Sequence, residues 1–481
     1  MRYNYPQFGE KSINMDKLNK TYLEVIKEVL PGRAIRWGIN NIQFKPLTLT
    51  KLNENLNKLS NIEGLLSHLT EMSIEKRALL QSVRQRKFEI EYLEQWKNSP
   101  YFYFERQILD IVNLFIDNYN LNNKEFNHSL ILNLNGMIRV IQENLEVRKI
   151  SIIDLQYTDY SLSLLIEKVN ASNLSIPDKK KLLETLNVLK TFFYSIKKKI
   201  KKVINPIKVP ILEKLIEMHC GVNVDLMFIK DLCKNNLKKN KILEKRKSDK
   251  NIYITKTDIE LCYKKITRVF FNYYPISPDI LLNIPIEFVN SKYRIRYQRI
   301  NILNSDNYKI IISLSHYNNM ERLLLDIVHE VFPGHHFERT AYYNFTNNRI
   351  SLSTYEDIFF IEGWAQISQD IYCNLSKNNY LSECNLRDKL IIQLKALCVI
   401  LIHEGTLNWA ECLQTMCQLT NLDKNIINSM LIDAYLEPID NIAPFVGYLI
   451  LKNVPKNNQN IIFGNNRFIL WGASLNAKGN S

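Results

Sequence analysis

The sequence has 481 residues, 46% of them hydrophobic, with 63 Lys and Arg against 49 Asp and Glu, which gives a formal net charge of +14. That length and apolar content are those of a globular protein with a large buried core. The positive charge lies in lysine-rich runs that no aromatic and basic module accompanies, so nucleic-acid binding is disfavoured.

The cysteines and the N-terminal stretch bear on the compartment. The eight cysteines form no CxxC pair and no tight framework, which predicts free or buried thiols in a reducing environment. The stretch MRYNYPQFGEKSINMDKLNK has no basic start followed by an apolar segment, and no run has the length of a membrane helix. These features predict a cytoplasmic protein without a membrane partner and indicate no particular oligomeric state.

Helical spacing dominates the first half of the chain. Segments between residues 53 and 205 have the pattern of long amphipathic helices joined by short polar links. Asn205-Pro206 and Val209-Pro210 interrupt this pattern. We therefore predict an N-terminal helical region over residues 1–205 and a C-terminal region over residues 206–481, which carries the motifs described next.

Strand character is concentrated between residues 280 and 316. The stretch IPIEFVNSKYRIRYQRI alternates tyrosine and isoleucine on one face with arginine on the other, and KIIISLSH is a short β-branched run. These stretches predict a small sheet just before the next helix. Arg294, Arg296 and Arg299 are most simply a solvated strand face, although such a strand is also suited to pairing with an extended substrate that ends in a carboxylate.

The sequence HEVFPGHH, residues 329–336, concentrates three histidines and one acid. Residues 321–332 have the pattern of a largely buried helix with His329 and Glu330 near its end. In an HExxH motif the two histidines stand four residues apart on one helix face, and the glutamate activates water. Here the fourth position is Pro333, which cannot bind a metal ion.

Proline and glycine at 333–334 predict a displaced helix. On an uninterrupted helix His336 would lie two turns from His329, too far for both nitrogens to reach one zinc ion at about 2 Å. His335 would point to the wrong side unless the Pro333-Gly334 pair displaces the backbone. We favour His335 as the second ligand and His336 as a neighbouring or substrate-contacting group, but the sequence leaves the choice between them open.

A catalytic zinc ion needs a third protein ligand and one open position. Glu362 follows His335 by 27 positions in the apolar helical segment YEDIFFIEGWAQISQDIY. A buried unpaired charge is costly, which favours a ligand role for Glu362. Asp326, three positions before His329, and Asp370, eight after Glu362, are predicted to support the ligands by hydrogen bonding.

The segments HEVFPGHHFER and IEGWAQ resemble the signature of the bacterial domain of unknown function 885 family, in which HExxPGHH is followed by EGWA. That family is metallopeptidase-like and is similar in layout to helical zinc enzymes such as thimet oligopeptidase and carboxypeptidase Taq. The resemblance covers roughly residues 270–450. It implies that His329, His335 and Glu362 are the zinc ligands and that Glu330 is the general base.

Near its C-terminal end the chain departs from the family pattern. In YLEPIDNIAPFVGYL, Pro438 and Gly447 fit, but Asp440 stands in place of a glutamine and Pro444 in place of a tyrosine. Loss of a phenol that donates to an oxyanion typically costs about 10²–10³ in rate. The resemblance therefore implies either a substitute donor or a different reaction. The candidate donors are Tyr435, Tyr448 and His403, and Arg339 is one of several arginines that are candidates for contacting substrate.

Together these features predict a mainly α, multi-helix, two-lobed metallopeptidase-like fold with a small β-sheet next to the metal-binding helix. The predicted function is that of a zinc-dependent metallohydrolase that cleaves a peptide or small amide bond with one zinc ion per chain. Two alternatives remain open. One is a non-proteolytic metal-dependent enzyme of small-molecule biosynthesis, with non-haem iron in place of zinc. The other is a catalytically inactive binding protein with a residual metal site.

Overall fold

The structure, a computed structural model, describes residues 14–37, 39, 47–68, 73–109, 112–113, 116, 124–240, 254–270, 283–289, 295–299, 308–313, 320–346 and 357–453. These residues form a mainly α-helical protein with one three-stranded sheet. The coarse fold prediction is therefore confirmed.

Polar residues begin several helices of the N-terminal region. The side chains of Asn14, Thr48, Ser73, Ser151 and Ser175 each accept a hydrogen bond from a backbone amide of the first turn. These bonds satisfy donors that a helix leaves unpaired at its start. The helices are α1 (Met15–Val29), α2 (Pro31–Arg36), α3 (Leu49–Ser67), α4 (Ile74–Phe88), α5 (Gln95–Asn98), α6 (Pro100–Tyr103), α7 (Lys124–Asn144), α8 (Ile152–Ala171) and α9 (Ile176–Lys197), with π-helical turns at Glu89–Leu93 and Phe104–Leu109 and a 3₁₀ turn at Val147–Lys149.

One cluster of buried side chains holds the N-terminal helices together, and its members run from Leu18 to Ile200. They recur at helical spacing, as on α9, where Leu182, Leu189 and Phe193 are almost fully buried. Two further clusters begin after residue 211 and hold the C-terminal helices. The packing thus changes from one core to the next close to the predicted division at residue 205.

The C-terminal region is built on longer and more deeply buried helices. Its elements are α10 (Val209–Cys220), α11 (Leu226–Lys239), α12 (Lys256–Phe270), α13 (Met320–Glu330), α14 (His335–Thr346), α15 (Ile358–Ser376), α16 (Asn379–Glu404), α17 (Trp409–Thr420), α18 (Lys424–Leu436) and α19 (Pro438–Lys452). Helix α16 is apolar over most of its last three turns, where residues 396–403 are all buried. It therefore forms the centre around which α11, α15, α18 and α19 pack.

The sheet lies next to α13, as predicted. It consists of β1 (Ile286–Val289), β2 (Ile295–Arg299) and β3 (Tyr308–Ser313) in the order β1-β3-β2. Strand β1 is parallel to β3, and β2 is antiparallel to it. Ile295 is buried and Arg296 is exposed, in line with the alternation in the sequence, whereas Arg294 and the side chain of Arg299 lie outside the described residues.

Residues 202–207, the linker, are fixed to both regions by backbone hydrogen bonds. Ile152 N donates to Lys202 O at 2.8 Å on the N-terminal side. On the C-terminal side Asn205 N donates to the Tyr435 hydroxyl at 3.0 Å, and Ile207 N donates to His403 Nδ1 at 2.9 Å. The linker is therefore held in one position between the two cores.

All eight cysteines are free thiols, and six of them are buried. Burial raises the pKa of the Cys220 and Cys262 thiols to about 12 and that of Cys412 to about 11. The prediction of free or buried thiols is confirmed. Among the residues that the structure describes, no helix is both long and apolar enough to cross a membrane.

Candidate metal centre

The predicted break at Pro333-Gly334 is present, because α13 ends at Glu330 and α14 begins at His335. Glycine is required at position 334, where a Cβ would lie 1.8 Å from the carbonyl oxygen of His329. Gly334 N also donates to Val328 O at 3.0 Å, which folds the chain back over the end of α13. His335 is thereby returned to the side on which His329 lies.

Two histidines and one glutamate converge at this break. The rings of His329 and His335 lie edge to face, with 4.8 Å between their centroids. Glu362 from α15 reaches both, with Oε2 at 3.8 Å from His329 Nε2 and Oε1 at 3.6 Å from His335 Nε2. Ligand atoms of a tetrahedral zinc ion at about 2.0–2.2 Å stand about 3.4 Å from one another. The structure brings the three predicted ligands together at nearly that spacing.

Glu330 lies beside these three residues. Its carboxylate and the ring nitrogens of His329 and His335 include atoms that all lie within 4.8 Å of one another. Its Oε2 also accepts a hydrogen bond of 2.8 Å from the backbone N–H of Tyr297 in β2. The predicted base is therefore placed next to the predicted ligands and is bound to the sheet.

Gly363 and Trp364, the two residues after Glu362 in the EGWA segment, fix the position of α15. The indole N–H of Trp364 donates to Pro333 O at 2.7 Å, which ties α15 to the break between α13 and α14. Gly363 packs against α19, where a Cβ on it would lie 2.4 Å from the carbonyl carbon of Gly447. Tryptophan and glycine therefore fix where α15 lies, and with it the position of the glutamate carboxylate.

Burial shifts the pKa of every group in the cluster toward its neutral form. It lowers the pKa of His329 to about 4 and that of His335 well below its usual range. Burial, reinforced by the charge of Asp440, raises the pKa of Glu362 to about 7. Burial also raises the pKa of Glu330 to about 8, against the opposing effect of the Tyr297 hydrogen bond. The histidines are thus neutral, the form that binds metal ions.

Asp326 supports the site through charge. It forms an ion pair of 3.0 Å with Arg322, which also binds Asp388 on α16. Its negative charge acts on the His329 ring, which the side chain of Gln369 also approaches. Sequence reasoning missed Gln369, although its spacing of seven residues from Glu362 places it on the same face of α15.

Asp370 lies in a polar cluster that joins α15, α16 and α19. It accepts hydrogen bonds of 2.7 Å from the Tyr448 hydroxyl and from Asn385 Nδ2, and it lies 3.3 Å from Lys389 Nζ. Lys389 Nζ also donates to Gln366 O at 2.7 Å and lies 4.4 Å from the centroid of the Tyr448 ring. The contacts described for Asp370 and Tyr448 are with this cluster, not with a histidine.

His336 and Arg339 flank the cluster on α14. The ring of His336 packs against Tyr308 at 4.3 Å and Tyr297 at 5.5 Å between centroids. The Arg339 side chain lies 3.4 Å from Glu338, and its positive charge acts on the neighbouring ligand groups. The structure thus places His335 beside the other two ligands, whereas His336 faces the sheet.

The structure does not bring His403 and Tyr435 to the cluster. The positive charge of Lys395 acts on Glu362, and His403 lies eight residues further along α16, a rise of about 12 Å. The rings of His403 and Tyr435 are instead stacked on each other at 6.1 Å, and both side chains bind the linker. Their contacts are those of residues that join the two cores.

The residues present fit a divalent metal ion. Two imidazoles and one carboxylate are a donor set that both zinc and iron accept. Nε2 of His329 and Nε2 of His335 both face the Glu362 carboxylate, and burial keeps the two rings neutral, so each can offer a lone pair to a cation. Burial raises the pKa of both glutamates, with smaller contributions from Glu362 and Asp326 at Glu330 and from Asp440 at Glu362, and a bound cation would lower both pKa values again.

The comparisons with known proteins show a shared fold. No protein-family model matches the sequence, and no curated protein matches it. A solved structure from Shewanella oneidensis, described as "a putative lipoprotein of unknown function", matches with a TM-score of 0.70 at 12% identity, over 98% of this chain and 100% of that one. A second, described as "the putative lipoprotein from Colwellia psychrerythraea", matches with a TM-score of 0.70 at 13% identity, over 97% and 99% of the two chains.

These findings correct two predictions. The resemblance to the domain of unknown function 885 family is wrong: no family model matches, and the two similar structures are each described as a "putative lipoprotein", not as a hydrolase or a zinc metallopeptidase. The HEVFPGHH and EGWA motifs reflect a local geometry, in which the Trp364 indole binds the Pro333-Gly334 break, and they do not establish membership of a family. The prediction of a cytoplasmic protein is also contradicted, because the same two structures are each described as a "putative lipoprotein". It rested in part on the thiols, whose burial reflects packing and does not identify a compartment.

At 12–13% identity the likeness to these two structures concerns the fold alone. It covers nearly the whole of each chain, so the shared fold extends over both the N-terminal and the C-terminal region. The chain therefore has the fold of these two solved structures.

Proposed function

We propose that this protein is a metal-dependent hydrolase that cleaves a peptide or small amide bond, with one zinc ion held by His329, His335 and Glu362. The observation that carries the proposal is the approach of two imidazole Nε2 atoms to one carboxylate at 3.8 and 3.6 Å, with a second carboxylate beside them. Three protein ligands and a neighbouring base are the arrangement of catalytic zinc sites, in which a fourth position stays open.

Each residue has a role in this proposal. A bound zinc ion would supply Lewis-acid polarisation and lower the pKa of a water molecule. Glu330, one residue from a ligand, accepts the proton of the attacking water and passes it to the leaving nitrogen. Asp326 and Gln369 stabilise the orientation of the His329 ring. Arg339, whose charge acts on Glu362, would attract an anionic group of the substrate.

The proposal includes a two-lobed arrangement of metallopeptidase type. The buried cluster of residues 18–200 would form one lobe, and the two clusters after residue 211 would form the other, with the metal centre in the second. The linker bonds to His403 and Tyr435 support a fixed relation between the lobes.

A second candidate is a non-haem iron enzyme of small-molecule biosynthesis. Two histidines and one carboxylate with open positions are also the ligand set of iron(II) oxygenases. The observation that favours it is the ligand set itself, because the two imidazole nitrogens and the Glu362 carboxylate that face one another suit iron as well as zinc. Metal identity and oxygen consumption separate the two candidates.

The test is the metal content of the full chain, purified without a histidine tag and measured by plasma mass spectrometry. We expect about one zinc ion per chain in the wild type, loss of the metal in His335→Ala and Glu362→Ala, and retention in His68→Ala, which alters an exposed histidine. Glu330→Gln should keep the metal and lose turnover of a peptide or amide library. Iron with oxygen uptake would favour the second candidate, and no metal would leave a binding protein.

A further inference from the structure

Two carboxylates, not one, lie within reach of an ion at the histidines. Glu362 approaches both imidazoles, and the carboxylate of Glu330 also lies within 4.8 Å of nitrogen atoms of His329 and His335. A hydrolytic zinc site uses one such carboxylate as a ligand and needs the other to stay off the metal, because a fourth protein ligand would fill the open position. Some contact must therefore decide which glutamate binds.

Only Glu330 has a described hydrogen bond to the sheet, from Tyr297 N to Oε2 at 2.8 Å. In the order β1-β3-β2, strand β2 is the outer partner of β3 among the described strands. Successive amides of an antiparallel strand point to alternate sides, so the Tyr297 amide points away from β3, toward α13. It donates to the carboxylate without weakening the sheet.

The position of this amide is fixed by contacts that do not involve Glu330. Residues 295–299 pair with residues 308–312 of β3, and the Tyr297 ring packs on His336 of α14 at 5.5 Å between centroids. The pairing of β2 with β3 by itself holds the donor, so the donor does not follow the carboxylate if the carboxylate turns. It therefore acts as a preorganised partner that favours one rotamer of Glu330.

We propose that the backbone amide of Tyr297 is a positioning group that holds Glu330 beside the metal and keeps it from becoming a metal ligand. This inference rests on the metal site of the proposed function. Without the amide, Glu330 turns toward the histidines and fills the position that a substrate or water needs. The sheet thus assigns the two glutamates their separate roles.

The test uses cobalt(II) added to the metal-free full chain, because the visible spectrum of the ion reports its coordination without any substrate. Tyr297→Pro removes the amide hydrogen at an outward-facing position of an edge strand, where proline is tolerated. Tyr297→Ala removes the ring but keeps the amide. We expect weaker, shifted bands and tighter cobalt binding in Tyr297→Pro, and bands like those of the wild type in Tyr297→Ala.

Two further variants test whether the spectral change comes from loss of the amide and not from misfolding, and whether Glu330 is the residue that then binds cobalt. Replacing Tyr297 by its α-hydroxy acid analogue turns the amide into an ester and keeps the side chain, and it should reproduce the Tyr297→Pro spectrum. Adding Glu330→Gln to either change should restore the spectrum of Glu330→Gln alone. Wild-type bands in a folded ester variant would overturn the inference while leaving the metal site intact. No cobalt binding by the wild type would overturn the proposed function and the inference with it.

Discussion

Glu362 is the residue whose protonation state controls the proposed site. Burial and the charge of Asp440 raise its pKa to about 7, whereas burial lowers the pKa of His329 to about 4. Between these values the histidine is neutral and ready to bind, but the carboxyl group holds a proton. Protons and a metal ion therefore compete mainly at the carboxylates.

We predict that zinc affinity falls as the pH decreases below 7. The metal-free site gains a proton on Glu362 in that range, and binding must release it, so the affinity should drop progressively between pH 7 and pH 5, approaching about tenfold for each pH unit. Competition titrations with a chelating dye at several pH values measure this. In Glu362→Gln we expect weaker binding with a shallower pH dependence, and a flat profile in the wild type would contradict the prediction.

Helix α15 connects the site to the rest of the fold. It carries Glu362, binds the break through the Trp364 indole, and crosses α19 where Gly363 meets Gly447. Side chains cannot enter that crossing, because the two backbones are in contact. The position of the third ligand therefore depends on a helix contact made by a glycine far along the chain.

We predict that Gly447→Ala destabilises the protein and weakens metal binding together. The new Cβ would lie 1.8 Å from the Phe359 carbonyl oxygen, so α15 and α19 must separate, at a cost of about 1–3 kcal/mol or more. Urea unfolding and zinc titration measure the two effects. The control is Gly64→Ala in α3, where no atom lies within 4 Å and a gain of about 0.5–1 kcal/mol is expected. Equal behaviour of the two variants would refute the predicted close contact.

At the scale of the whole molecule, two cores share a linker whose backbone is bound by aromatic side chains. Tyr435 accepts from Asn205 N, and His403 accepts from Ile207 N. Burial lowers the pKa of His403 to about 4, so its ring stays neutral and can accept at physiological pH. These residues stabilise the relation between the cores and have no described contact with the ligands.

We predict that Tyr435→Phe destabilises the protein by about 1 kcal/mol and leaves the zinc content unchanged, because it removes the partly buried hydrogen bonds of the hydroxyl with Asn205 N and Ser151, which lie outside the site. Thermal unfolding and mass spectrometry of the purified variant test both parts. Tyr194→Phe is the control, since Tyr194 is 70% exposed. Loss of the metal or of turnover with unchanged stability would instead show that Tyr435 acts at the site.

The sequence predicted the parts of the site that depend on neighbouring residues. Proline and glycine after His329 could only interrupt the helix, and the return of His335 followed from that break. The contact of Glu362 with both histidines required a second helix, which the EGWA motif indicated but could not position. Gln369 and the Tyr297 amide were missed, because one is an ordinary helix residue and the other a backbone group.

His403 and Tyr435 were chosen by analogy of position in a motif. Such an analogy does not take account of the rise of a long helix. Along α16, His403 lies about 12 Å beyond Lys395, the residue whose charge acts on Glu362. The predictions of the family and of the compartment were wrong for a related reason. Short motifs and thiol counts describe local chemistry, whereas the comparison over the whole chain describes the fold. Helix content and the small sheet were predictable because their periodicities extend over many residues.

Because six of the eight thiols are buried, their reactivity can report local opening of the fold without any added probe site. A thiol whose pKa is raised to about 12, as at Cys220, Cys262 and Cys373, does not react with an alkylating reagent while it is enclosed. Its labelling rate therefore measures how often the surrounding helices separate. Because these sulfur atoms are distributed over α10, α12 and α15, thiol labelling can measure the rate of local opening at three separate helices of the C-terminal region.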